Sequence, residues 1–107
     1  MAEYTFEQIM AGIPSAFQPD QAAGIDAQVQ LVVDSSDTWV ITVRDQTCAV
    51  AHEKAASPRL TLSASKADFM DIFTGKLDGM KAVMSGRMRL QGDLGLAMKF
   101  GLLFKSV

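Results

Sequence analysis

The 107-residue sequence predicts a mixed helix-and-strand domain built around one core. Three observations carry that expectation. A single amphipathic helix pattern opens the chain, short alternating segments separated by polar turns follow, and helix-forming stretches return in the last third. Strands joined in sequence by short loops imply antiparallel pairing.

The opening helix is "TFEQIMAGIPSAF". Thr5 with Gln8 three positions on is a capping box, and Phe6, Ile9, Met10, Ile13 and Phe17 recur as one apolar stripe. Pro14 removes a backbone donor, which predicts a kink or a restart there. Pro19 and Gly24 bracket a turn. In "AQVQLVVD", Val29, Leu31 and Val33 share a face; in "TWVITVRD", Trp39, Ile41 and Val43 do the same. "DSSD" reads as the hairpin loop between them and "RDQT" as the next turn, with "CAVAHE" and "RLTLSA" as third and fourth strands. Ser65 caps "KADFMDIFTG", whose apolar residues Phe69, Met70, Ile72 and Phe73 stop at Gly75. "DGMKAVMSG" is a shorter helix carrying Met80, Val83 and Met84, closed by Gly86. "RMRLQ" alternates with Met88 and Leu90 inward, and Asp93 caps a last helix, "LGLAMKFGLLFK".

That last helix is the informative one. On a wheel of about 100° per residue, Leu96, Ala97, Phe100, Leu103 and Phe104 form one arc and Leu94, Met98 and Leu102 an opposite one. Only Lys99 and Lys105 interrupt the apolar surface. A helix apolar almost all round needs cover on more than one side. The arc of Leu94 and Met98 is assigned to the sheet-facing core, and the arc of Phe100 to a second surface: other helices, a partner chain or an apolar ligand. Met70, Met80, Met84, Met88 and Met98 add flexible filler common at adaptable binding surfaces.

Other functions find little support. A net charge of −2 with 21% charged residues argues against a nucleic-acid partner. Lys81, Arg87, Arg89 and Lys99 read as a solvated basic face. Cys48 is the one cysteine, which fits a reducing compartment. "MAEYTFEQIM" lacks the pattern of a secretory signal, and no charge-free apolar run reaches the ~18 residues of a membrane span. A cytoplasmic location is therefore expected. His52 is the one histidine, so no two-His metal site is available. Cys48 and His52 lie on one strand face but roughly 13 Å apart, too far for a nucleophile pair. Asp68 and Asp71 read as cap and solvated face, and the glycines of "GDLG" and "SGRMRLQG" as turns and caps. No enzyme, cofactor or metal is expected.

As an ordered string, "LTLSASKADFMDIFTGKLDGMKAVMSGRMRLQGDLGLAMKF" resembles the sterol carrier protein 2 family of lipid-binding domains. The carrying elements are the strand-to-helix entry "LTLSASKADF", then "TGK", then "SGRMRLQGDLGLAMK", which fits the family pattern G-K-L-K-I-x-G-(N/D)-x-G-L-A-M-K. The first helix, "QVQLVV" and "TWVITVRD" resemble the family's opening, so the likeness covers nearly all of residues 1–107. Arg59 stands where the family often has an acidic residue. The resemblance implies an α+β fold: a five-stranded mixed, mainly antiparallel sheet with helices over one face enclosing an apolar tunnel, the last helix forming one wall. It implies non-catalytic binding, and transfer, of fatty acid, fatty acyl-CoA, phospholipid or sterol. The lining expected on this basis is Trp39, Ile41, Phe69, Met70, Phe73, Met80, Met84, Leu96, Phe100, Leu103 and Phe104. Transient membrane contact and a homodimer are compatible with it. The alternatives are a protein-interaction or oligomerisation module, or an accessory lipid chaperone for a lipid-handling enzyme, isoprenoid quinone synthesis being one setting.

Overall fold

The computed structural model describes residues 5–104. Thr5 and Gln8 exchange both bonds of the capping box, and α1 runs from Phe6 to Ala16. Phe6, Ile9, Met10 and Ile13 are its buried stripe. The expected restart at Pro14 does not occur: one helix continues through it. Pro14 lies in the last turn, where the missing N–H costs a single bond.

Five strands form one sheet: β1 (Ala27–Val33), β2 (Asp37–Arg44), β3 (Thr47–Ala51), β4 (Leu60–Ala64) and β5 (Met88–Gly92), in the order β3-β2-β1-β4-β5. Three neighbouring pairs are antiparallel, and the central β1–β4 pair is parallel. The sheet is thus mixed and mainly antiparallel, as the resemblance implied. Short-loop reasoning holds for both hairpins but not for β3 to β4, which do not pair. The turn between β2 and β3 places Asp45 and Gln46 at φ 51° and 57°, the two-residue geometry that follows the sheet's twist.

The segment from His52 to Arg59 has to pass β2 and β1 to reach β4. Gln30, on the opposite face of β1 from Val29 and Leu31, pins it. Its amide donates to the Trp39 carbonyl at 2.6 Å and accepts from the Ala55 N–H at 2.6 Å. Gln30 is buried, and both ends of its side chain are used.

The other sheet face carries the helices. Inward residues Val29, Leu31, Val33, Ile41, Val43 and Leu60 join the buried stripe of α1 in one core. Helix α2 (Lys66–Phe73) is capped by Ser65, α3 (Gly79–Met84) by Asp78 and α4 (Leu94–Phe100) by Asp93. The last helix is shorter than expected: a 3-10 turn, Gly101–Leu103, replaces its final part, and Lys105 lies outside the described residues. No helix among the described residues is long and apolar enough to cross a membrane.

Candidate functional site

Helix α1 covers the β3 side of the inner face, and that half of the sheet is filled. Over β4 and β5 the cover is α3 and α4, of six and seven residues, with the end of α2. Glycine and aspartate set those lengths. Gly75 and Gly86, at φ 84° and 80°, follow α2 and α3, while the carboxylates of Asp78 and Asp93 accept the Lys81 and Leu96 N–H groups to start α3 and α4. Two short helices cannot fill the space over two strands, and a cavity of about 470 Å³ remains.

Its wall is drawn from every surrounding element. Leu60 and Leu62 of β4 and Met88 and Leu90 of β5 form the floor. Phe69, Ile72 and Phe73 come from α2, Met80 and Val83 from α3, and Ala97, Met98 and Phe100 from α4. Ile13 and Ala16 of α1, with Leu102 and Phe104, complete the wall where the segment after α1 is tied to the segment after α4. There the Gln18 N–H donates to the Leu103 carbonyl at 2.6 Å, and the Phe17 and Phe104 rings lie 5.8 Å apart. Asp78 is the one charged side chain among these lining residues, and its carboxylate is taken up as a helix cap.

Gly92 fixes the floor's edge. It lies at φ 113°, and a Cβ there would run into the Arg59 carbonyl just before β4. Only glycine fits both the conformation and the approach. Beside it, Arg59 donates to Asp93 at 2.6 Å and to the Asp26 carbonyl at 3.2 Å. The Leu96 N–H, then Arg59, holds the Asp93 carboxyl below the ordinary carboxylate range.

Of the residues expected from sequence to line a cavity, Phe69, Phe73, Met80, Phe100 and Phe104 do so. Trp39, Ile41, Met70, Met84, Leu96 and Leu103 are not part of the wall. Trp39 lies under α1, edge-on to Phe6 at 5.8 Å and stacked on His52 at 4.1 Å. Ile41 is fully buried in the same filled half. Leu96 and Leu103 belong to the core beneath the cavity's edge, Met70 is half-buried, and Met84 is 85% exposed on α3. Phe100 and Phe104 keep the role given to their arc of the last helix, but the opposite arc does not face the sheet. Leu94, Met98 and Leu102, assigned to the sheet-facing core, are exposed, while Leu96, Phe100 and Leu103 are buried. Both arcs contribute to the cavity wall, Ala97, Phe100 and Phe104 from one and Met98 and Leu102 from the other. Sequence alternation turns Met88 and Leu90 inward and assigns no face to Leu60 and Leu62.

Catalytic groups do not converge on this space. Burial pushes the Cys48 thiol up to about 11. His52 is bonded through Nε2 to Asp37 at 2.6 Å, at the other end of the sheet's order from β5. Asp68 is bonded by Arg87. Among the described residues no three His, Cys, Asp or Glu side chains group to hold a metal.

Comparison with known proteins agrees with this architecture. The sequence model of the SCP-2 sterol transfer family matches residues 6–105. Peroxisomal multifunctional enzyme A of Dictyostelium discoideum is 31% identical over 72 residues, 66% of this chain; the match spans 16% of that relative's length. Among solved structures, the sec-alkylsulfatase Pisa1 from Pseudomonas sp. superposes with a TM-score of 0.84 at 21% identity, over 97% of this chain and 17% of its own. The palmitated SCP2L2 of Aedes aegypti gives 0.72 at 24% identity, over 99% and 97%. With the family matched over nearly the whole described chain and the same five-stranded α+β fold, this protein belongs to the SCP-2 sterol transfer family.

Proposed function

We propose that this protein binds one long-chain lipid without chemistry, its apolar chain lying in the cavity between β4–β5 and helices α2–α4. The cavity carries the reading. Its ~470 Å³ is within the range of about 300–1,000 Å³ typical of small-molecule sites. Its lining is aliphatic and aromatic, with no free charged group to orient a polar ligand. The palmitated state of the Aedes aegypti relative supports a fatty acyl chain as the occupant class. We assign the contacts to Phe69, Phe73, Met80, Met98, Phe100 and Phe104.

The energetics suit a carrier. An acyl chain of about 15 methylenes gains roughly 12 kcal/mol gross on burial. Association costs of about 4–15 kcal/mol offset much of this, leaving micromolar or somewhat tighter affinity. Contacts of this kind are non-directional, so fatty acid, acyl-CoA, phospholipid and sterol are discriminated weakly. The relatives in which such a domain is 16% or 17% of the chain favour a second role, presenting lipid to an enzyme.

Native mass spectrometry of the purified protein, before and after organic extraction, tests the binding. The expected result is a lipid-sized mass addition removed by extraction, and displacement of a fluorescent fatty acid by unlabelled long-chain lipid. A protein with no bound lipid and no affinity for the probe would overturn it.

A further inference from the structure

The cavity does not close over itself with polar residues. Among the described residues the exposed large apolar side chains are Met80, Met84, Leu94, Met98 and Leu102, and all lie on α3, α4 and the turn that follows. Met80 and Met84 are one helical turn apart, and Leu94, Met98 and Leu102 step along the outer arc of α4. Met80, Met98 and Leu102 also line the cavity. A shallow groove beside it is lined by Met80, Val83, Leu90 and Leu94, together with Arg89. The exposed apolar surface is therefore continuous with the cavity's rim.

Charge is distributed just as unevenly. Residues 76–107 carry six Lys or Arg against Asp78 and Asp93, a formal +4 in a chain of −2, which leaves −6 on residues 1–75. Both of those carboxylates are committed: Asp78 caps α3, while Asp93 caps α4 and pairs with Arg59. Lys76, Lys81, Arg89 and Lys99 have no carboxylate partner among the described residues. Arg87 is held by Asp68 and Asp71.

We propose that this face, two apolar ridges set among unpaired cations at the rim of the cavity, docks on an anionic lipid bilayer and places the cavity against the membrane from which lipid enters. Flexible Met and Leu side chains insert among the acyl chains at the headgroup boundary, and Lys and Arg keep their charges at the phosphates. Juxtaposed basic residues add attraction to anionic lipid that salt screens. A second copy of the chain fits this face less well, because pairing like with like brings the same cations together. The proposal rests on the lipid-binding reading above, and its test separates the two.

Sedimentation with vesicles of phosphatidylcholine containing about 30% phosphatidylserine, against pure phosphatidylcholine, measures docking. The wild type is expected to bind the anionic vesicles, and added salt is expected to weaken that binding. Met84→Asp combined with Leu94→Asp changes two exposed positions outside the cavity wall. It is expected to reduce vesicle binding by about tenfold or more while a fluorescent fatty acid binds in vesicle-free buffer as before. Lys81→Glu with Lys99→Glu is expected to abolish the preference for anionic lipid. Failure of the wild type to bind vesicles, or vesicle binding by the double aspartate variant at wild-type strength, overturns the docking surface even where the fatty acid still binds. A wild-type dimer in light scattering that the aspartate variant converts to monomer overturns it in favour of a second copy. Loss of fatty-acid binding in the wild type condemns the cavity reading instead.

Discussion

Met98→Ala and Leu103→Ala, five residues apart, should have opposite effects. Met98 is 66% exposed and lines the cavity; Leu103 is 1% exposed and is absent from its wall. Truncating a filled-core leucine removes contacts and leaves a void, which costs about 3–5 kcal/mol. For Met98 only about a third of the side chain is buried, so the corresponding loss is about 1 kcal/mol, reduced a little by alanine's better helix propensity. Ligand affinity runs the other way. Full burial of a methionine is worth about 1.5–3 kcal/mol. A lipid that covers half of what Met98 exposes gains about 0.5–1 kcal/mol from it, or roughly two- to fivefold in Kd. Urea melts of the lipid-free variants give the stabilities, and titration of a fluorescent fatty acid in vesicle-free buffer gives Kd. The reasoning fails if Met98→Ala destabilises as much as Leu103→Ala while its Kd stays at the wild-type value. Phe100→Ala should show both effects, since its ring is on the wall yet only 7% exposed.

Gln30→Leu should cost about 1–3 kcal/mol in urea melts, because the buried Ala55 N–H loses its partner, and should leave fatty-acid Kd unchanged since Gln30 is on the other sheet face. Asp93→Asn keeps a helix cap but removes the charge that Arg59 and the Leu96 N–H stabilise. The folded carboxyl titrates below its unfolded value, so its contribution is present above the ordinary carboxylate range and lost as pH falls through the lowered value. Wild type should therefore exceed the variant in stability above the ordinary carboxylate range, and the two should converge as pH falls below it; a gap independent of pH would exclude the charge as its cause.

Much of the fold was legible because it is written in local pattern. The capping box at Thr5, the caps at Ser65 and Asp93, and the glycines after α2 and α3 each satisfy backbone groups within a few residues of themselves. Alternation grouped Val29, Leu31 and Val33 of β1 and Trp39, Ile41 and Val43 of β2 on one face each, and turned Met88 and Leu90 of β5 inward. The crossing from β3 to β4 was not legible, because its anchor is Gln30, one of two glutamines in β1, bonded to a loop 25 residues away. Gln30 passes as an outward polar residue until the loop lies over it.

The cavity was legible only in part for a related reason. Alternation marks Trp39, Ile41, Met88 and Leu90 alike as inward, and nothing in the strands distinguishes the half of the sheet that α1 fills from the half it leaves open. That division depends on where α1 crosses, a long-range fact carried by contacts such as Phe6 on Trp39. The helical wheel has the same limit: it shows that α4 has two apolar arcs but cannot say which one meets the sheet. Side-chain type does separate them. The aromatic residues Phe100 and Phe104 share the buried arc, where rigid rings bury the most area for the least lost freedom, and they pack on each other at 5.2 Å. The outer arc sets the unbranched, flexible Met98 between Leu94 and Leu102 with Lys99 beside it, and Met adapts to a surface more readily than it fills a fixed space. Read by residue type as well as by hydropathy, the wheel keeps the wall on Phe100 and takes Leu94, Met98 and Leu102 off the sheet, leaving them exposed with Met98 and Leu102 at the cavity's rim.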